Sequence, residues 1–150
     1  MVDFTIMQGQ LGVRPPVTKH SPAFLELVGE ENVRKMVSNH YDILIKSEIK
    51  ELFPLEGEAL QAAKQHAADF IIQISGGPAY FNQNRGAPQM VGRHAPFRID
   101  ANARKIWLES YIEEIKNLKT KDGEDLPDSI KQEFFNYLNV FSLWMVNTPS

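Results

Sequence analysis

The chain carries four histidines and no cysteine. Imidazole, not thiolate, is therefore the side chain available for gripping a metal or a soft electrophile. One of the four stands apart. His94 sits in VGRHAPFRID, residues 91–100, directly before Ala95-Pro96-Phe97 and between Arg93 and Arg98. Pro96 cannot continue a helix and biases Ala95 away from helical torsions. The His94 ring thus falls at the end of a short helix and is aimed by the turn that follows. Two chemistries suit that setting: a ligand held through a ring nitrogen, or a turn histidine bonding a carbonyl. Residue types alone leave both open.

The other histidines read differently. His20 lies in the N-terminal arm and is expected to face solvent. His40 shares an apolar stripe, as a hydrogen-bonded core or interface histidine does. His66 flanks a second stripe, about 90° from its centre at about 100° per residue, where a polar group at a pocket rim would stand. The common catalytic signatures are missing: no phosphate-cradling glycine loop, no G-x-S-x-G elbow, no H-E-x-x-H. Gly76-Gly77-Pro78 stops a helix and is not a nucleotide loop.

Composition narrows the class. One domain is expected from 150 residues, and 43% hydrophobic with 23% charged residues is ordinary for a soluble globular protein. A net charge of −3 gives no footprint for nucleic acid. Lack of cysteine excludes disulfides and thiolate metal sites. No apolar run approaches the roughly 18 residues of a membrane span, and the N-terminus has no signal-peptide pattern. The expectation is a cytoplasmic protein with no membrane and no nucleic-acid partner.

The elements that must position His94 are helical. Residues 1–20, with Gly9, Gly12 and Pro15-Pro16, read as an extended or loosely attached arm. Val33, Met36, Val37, His40, Tyr41 and Leu44 form one amphipathic stripe. Leu52-Phe53-Pro54 ends a short element. Leu60, Ala63, Ala67, Phe70, Ile71 and Ile74 share a face over residues 57–75. Residues 79–99 read as mostly loop, with one short helical turn before His94. Asp100 can cap the next helix, whose face holds Ala103, Trp107, Leu108, Tyr111, Ile115 and Leu118. Pro127 starts the last, with Ile130, Phe134, Tyr137, Leu138, Phe141, Trp144 and Met145. With no strand, repeat or low-complexity run evident, the fold class is all-α.

The stretch SGGPAYFNQNRGAPQMVGRHAPFRIDANARKIWLES, residues 75–110, resembles the truncated haemoglobin family, specifically group II. The ordered features are Gly76-Gly77-Pro78, Tyr80-Phe81, Arg85-Gly86-Ala87-Pro88, the run from Arg93 to Ile99, and Trp107, thirteen residues after His94. The likeness extends less strictly from about Pro22 to the C-terminus. It implies a truncated globin fold, a 2-on-2 helical sandwich around haem b (iron protoporphyrin IX), spanning residues 21–150, with residues 1–20 as an N-terminal extension. It also implies that His94 is the proximal iron ligand and that Tyr41 and Trp107 are distal-pocket donors. Phe53 matches an aromatic position at the pocket edge. Phe81, Met90 and Phe97 match haem-lining positions, and Arg93 one that can pair with a propionate, with Arg98 as a further candidate. Ala63 takes the ligand-gate position and Ala67 the one a turn deeper. Two departures stand out: Gly29-Glu30 replaces a Gly-Gly pair, and the chain is about two residues longer between Phe53 and Ala63.

Physical chemistry agrees with this assignment. A neutral imidazole suits haem iron that binds O2. Trp107 has only a donor, and Tyr41 a donor and a weak acceptor. In a water-poor pocket each hydrogen bond to a partly anionic diatomic contributes about 1.5–3 kcal/mol. Oxygen release should then be slow, which argues against bulk transport. Alanines at 63 and 67 leave room for a flat group where a solid core would fill the space.

Three functions follow. The first is tight O2 binding for redox chemistry on NO or peroxide, an NO dioxygenase or peroxidase-like activity fed by a separate reductase. The alternative is an oxygen sensor, store or scavenger acting without turnover. The third is a haem-free globin-like interaction domain, disfavoured by the intact flanks of His94. Ligands are O2, NO and CO, and the protein is expected as a monomer or homodimer.

Overall fold

The computed structural model describes residues 1–149 and is helical. Seven α-helices are found among the described residues: α1 (Ala23–Val28), α2 (Glu30–Leu44), α3 (Gly57–Ile74), α4 (Tyr80–Arg85), α5 (Met90–His94), α6 (Ala101–Lys116) and α7 (Asp128–Leu143). A 3-10 turn occupies Lys50–Leu52. The only strand-like pairing among those residues is one isolated bridge, Lys119 with Asp125. None of the described helices is long and apolar enough to cross a membrane.

The stripes read from the sequence are the faces that pack. On α2, Val33, Met36, Val37, His40 and Leu44 are buried. The α2/α3 pair meets the α6/α7 pair through α2 on α6, which is the 2-on-2 sandwich. Their interface is a continuous core running from Phe24 and Val28 through Ile72 and Leu108 to Phe134 and Leu138. Asp100 caps α6 by accepting from Ala103 N at 2.8 Å, which satisfies one of the free donors at the helix start.

Gly76-Gly77-Pro78 stops α3 for two separate reasons. Gly76 takes φ +91°, which a side chain would resist. Gly77 has no room: a Cβ there would meet Ile72 Cγ2 and Leu25 Cδ2 at 2.7 Å and Ile72 O at 2.9 Å.

The structure differs from the sequence reading at two places before the site. Residues 80–85 form α4 where loop was expected. The surrounding glycines and prolines hid a helix of only six residues, too short for periodicity to announce. The N-terminal arm is extended as expected, but it is not loosely attached. Phe4 packs edge-on against Phe135 at 5.2 Å. Asn139 of α7 donates to Thr5 O at 3.0 Å and accepts from Met7 N at 3.1 Å. Trp144 Nε1 donates to Pro15 O at 2.7 Å.

His20, expected in solvent, is 6% exposed. Its Nε2 lies 2.7 Å from Ser75 Oγ, and its ring stands edge-on to Phe24, Phe134 and Tyr137. Burial pulls its pKa down to about 4. Loop-like composition marks a segment as non-helical and says nothing of whether it docks.

Candidate functional site

A mainly apolar cavity of about 380 Å³ lies among α2, α3, α5, α6 and the end of α7. That size is within the range of small-molecule and cofactor sites. Of the eleven residues that the family resemblance assigns to a pocket, ten line it and Arg98 does not.

His94 enters as the last residue of α5. Its Nδ1 is 2.6 Å from the Met90 carbonyl one turn back. A carbonyl only accepts, so Nδ1 carries the proton and Nε2 keeps its lone pair. The turn histidine bonding a carbonyl and the ligand histidine are therefore compatible: one nitrogen does the first and frees the other for the second. Gln89, just before α5, takes φ +43°, an uncommon conformation for a residue with a side chain, to start this five-residue helix.

Tyr41 and Trp107 reach the same cavity from α2 and α6. Burial pushes the Tyr41 hydroxyl up to about 12, so it stays protonated and remains a donor at any ordinary pH. Neither this hydroxyl nor Trp107 Nε1 has a hydrogen-bond partner among the described residues. The two polar tips closest in kind to a ligand's needs are thus unengaged.

His40 holds the frame around them. It is 1% exposed, and its Nε2 donates to the Trp107 carbonyl at 3.0 Å. Its ring stacks on Tyr111 at 3.5 Å and stands edge-on to Trp107. Burial holds it neutral, with a pKa down to about 3. The core-histidine expectation matches this placement.

Phe53 borders the cavity edge-on to Tyr41, centroids 5.6 Å apart. Ala63 and Ala67 present small side chains from α3, and Phe81 and Met90 add apolar wall from α4 and α5. Phe97 lines the cavity and is still 44% exposed, leaving apolar surface that a flat bound group would cover.

The cationic residues divide. Arg93 also lines the cavity, but Nε donates to Pro88 O at 2.6 Å and Nη2 to Arg85 O and Ala87 O at 2.8 and 3.0 Å. Its guanidinium sits 5.1 Å over the Phe81 ring. Only Nη1 is left for an acid group. Arg85 lines the same opening, and its guanidinium makes no hydrogen bond or ion pair among the described residues. Arg98 is exposed and does not line the cavity. His66 lines it too, with Nδ1 buried and unpartnered. Desolvation first, then the Arg85 charge, holds its pKa below the usual histidine range.

Sequence reasoning missed Arg104. Its guanidinium is 2% exposed at the α7 side of the cavity. Nε donates to Ser142 Oγ at 3.0 Å, Nη1 to Met7 O at 2.5 Å, and Nη2 to Asn139 O and Oδ1 at 2.6 and 2.8 Å. Among the described residues no carboxylate pairs with it, and carbonyl dipoles surround the charge instead. Three of these four bonds go to α7 and one to the arm, contacts between distant segments that residue type and period do not reveal.

This donor set fits a flat, mostly apolar cofactor that brings its own metal. Among the described residues no group of three or more His, Asp or Glu could hold a bare ion. One imidazole with a free nitrogen holds a metal only when another group supplies the remaining ligands. A macrocycle does so, and the apolar walls with a basic rim suit its ring and acid groups.

Comparison with known proteins points the same way. Residues 23–140 match the family model for bacterial-like globins. The group 2 truncated hemoglobin YjbI of Bacillus subtilis is 26% identical over 123 residues, 81% of this chain and 86% of that protein. Two-on-two hemoglobin-3 of Arabidopsis thaliana is 40% identical over 47 residues, which are 31% of this chain and only 27% of that protein. Among solved structures, phosphate-bound Hell's gate globin IV superposes with a TM-score of 0.84 at 35% identity, covering 97% of this chain and 88% of that one. The chain belongs to the bacterial-like globin family, among its group II truncated haemoglobins, which bind haem and diatomic gases.

Proposed function

We propose that the protein binds haem b through His94 Nε2 and holds O2 tightly with hydrogen bonds from Tyr41 and Trp107. The observation that carries this is the His94 ring itself. Its Nδ1 proton is fixed on the Met90 carbonyl, which leaves Nε2 free on a ring lining an apolar cavity. When bound, haem supplies an iron centre for diatomic binding and electron transfer. Tyr41, kept protonated by burial, and Trp107 each donate one hydrogen bond to the bound diatomic. The surrounding side chains exclude water, so those bonds act in a low dielectric. Arg85, with the remaining Nη1 of Arg93, pairs with the acid groups at the opening.

Tight binding with two donors favours redox chemistry over delivery. NO dioxygenation or a peroxidase-like reaction would draw its electrons from a separate reductase. Residues 1–20 are then an extension on a globin domain of residues 21–150, acting in the cytoplasm as a monomer or homodimer. The second reading is a sensor, store or scavenger that binds O2 without turnover. The well-docked arm favours it to this extent: Arg104 joins the arm to the cavity wall, as a signal passed by contact requires.

Absorption spectra test the core of the proposal. Wild type loaded with haemin should show a Soret band that His94→Ala loses, and no spectral change with wild type would sink it. Rapid mixing of the oxygenated protein with NO separates the two readings. Nitrate formed in one fast step supports the enzyme, and its absence leaves ligand binding alone.

A further inference from the structure

Asn147 lies beyond α7, far in sequence from the site, yet its side chain grips the turn that carries His94. Nδ2 donates to the His94 carbonyl at 3.2 Å and to the Phe97 carbonyl at 2.9 Å. Oδ1 accepts from Ile99 N at 2.9 Å and from the Thr148 hydroxyl at 2.9 Å. A carboxamide has two donors and two lone pairs, and all four are engaged here. Main chain reinforces the grip: Asn147 N and Thr148 N both donate to Ile99 O, at 2.9 and 3.1 Å.

The turn needs an outside partner. Pro96 has no N–H, so residues 94–99 cannot close their own hydrogen-bond ladder. Its internal bonds are Ala95 N to Gly92 O at 3.2 Å and Phe97 N to His94 O at 3.0 Å. An asparagine that merely capped its own turn would bond the backbone two residues away. This one spans sequence separations of 53, 50 and 48 residues and reaches both ends of a single turn. His94 is consequently held twice, its carbonyl by Asn147 and its ring Nδ1 by the Met90 carbonyl.

We propose that Asn147 is a positioning residue for His94: the two donors of its carboxamide fix the 94–99 turn and, through it, the direction in which Nε2 meets the haem iron. The proposal rests on the reading of His94 as the iron ligand. Partners that orient a ligating histidine matter to metal retention by roughly 10- to 100-fold.

The experiment uses full-length, haem-loaded protein with Asn147→Asp, Asn147→Ala and the control Thr148→Ala. Aspartate has the same shape and keeps the acceptor for Ile99 N and Thr148, but at neutral pH it donates nothing and sets a charge against two carbonyls. Two readouts are taken: the iron–histidine stretching band in the resonance Raman spectrum of the ferrous, ligand-free protein, and the rate of haem transfer to excess apomyoglobin. Thermal melts show which variants are folded. Asn147→Asp should shift or broaden the band and release haem roughly 10-fold faster, Asn147→Ala should do so less, and Thr148→Ala should match wild type. A residue that only anchors the chain's tail would leave the isosteric aspartate indistinguishable from wild type. That result, in a folded protein, overturns the proposal. If His94→Ala loses the Soret band while both Asn147 variants keep the wild-type Raman band, only the clamp is refuted. If His94→Ala keeps the Soret band, the ligand reading falls and the clamp with it.

Discussion

Acid should unfold this protein through two buried histidines, neither of them the proposed iron ligand. His20 and His40 are buried and neutral, with pKa values pulled down by desolvation to about 4 and about 3 from an ordinary 6.5. Around His20, the nearby Glu133 charge opposes the shift and Lys19 adds to it. The unfolded chain takes up a proton on each ring near pH 6.5, whereas the folded chain refuses it until much lower pH. Stability is therefore fully present above about pH 7 and drains away as pH falls toward the folded values. At pH 5 each ring has cost about 2 kcal/mol, together about 4 kcal/mol of a total that is typically 5–15. His20→Gln isolates one share, because an amide can still donate to Ser75 Oγ but never titrates. Urea unfolding of wild type and variant at a series of pH values between 7.5 and 5 is the assay. The gap between the two curves should close by about 2 kcal/mol across that range. Parallel curves would mean that His20 is solvated as the bare sequence suggests, and that the docked arm is not the folded state in solution.

On the proposed reading Trp107→Phe loses one donor to the bound diatomic, so oxygen dissociation should speed by about 10- to 150-fold, the equivalent of about 1.5–3 kcal/mol, in stopped flow. An unchanged off-rate would make Trp107 packing alone. Deleting residues 1–8 takes the Met7 carbonyl from Arg104 and the Thr5 carbonyl from Asn139. Loss of about 2–4 kcal/mol in urea unfolding is expected, and a loss below 0.5 kcal/mol would show the arm to be decoration. Gly77→Ala drives a Cβ to 2.7 Å from Ile72 and Leu25 and 2.9 Å from a carbonyl oxygen, so it should cost about 1–3 kcal/mol by thermal melt.

Period and punctuation made most of the fold legible. The α2 stripe from Val33 to Leu44 and the cap at Asp100 could be written down from residue types, because both obey local rules. The odd setting of His94 was legible for the same reason, since proline two residues on is a backbone constraint. What the sequence could not show lies in contacts between distant segments. His20 and Arg104 are polar residues buried by contacts between distant segments, His20 against Ser75 and the rings of Phe134 and Tyr137, Arg104 against α7 and Met7. Neither has a periodic signal that a solvated residue would lack. Arg93 is the converse: its type and place beside His94 suggested an acid partner, yet three carbonyls take most of its donors. Charge is visible in a sequence, but hydrogen-bond satisfaction is not.

That distinction is also how the site divides its work. Polar groups that fix the His94 helix are engaged within the protein: Nδ1 on Met90 O, Nε and Nη2 of Arg93 on three carbonyls, Asn147 on four partners. Any slack there would let the imidazole turn off axis, and each of these bonds removes a torsional freedom before a ligand arrives. The donors from α2 and α6 are left unengaged where they line the cavity. His40 sharpens the point, because its bond to the Trp107 backbone and its stack on Tyr111 hold the indole in place without using Nε1. The scaffold thus fixes the indole while leaving two donors, Tyr41 and Trp107, open to an incoming acceptor at the cavity wall. On the proposed reading, the affinity for a polarised diatomic comes from the two hydrogen bonds it would accept from Tyr41 and Trp107 in a water-poor cavity.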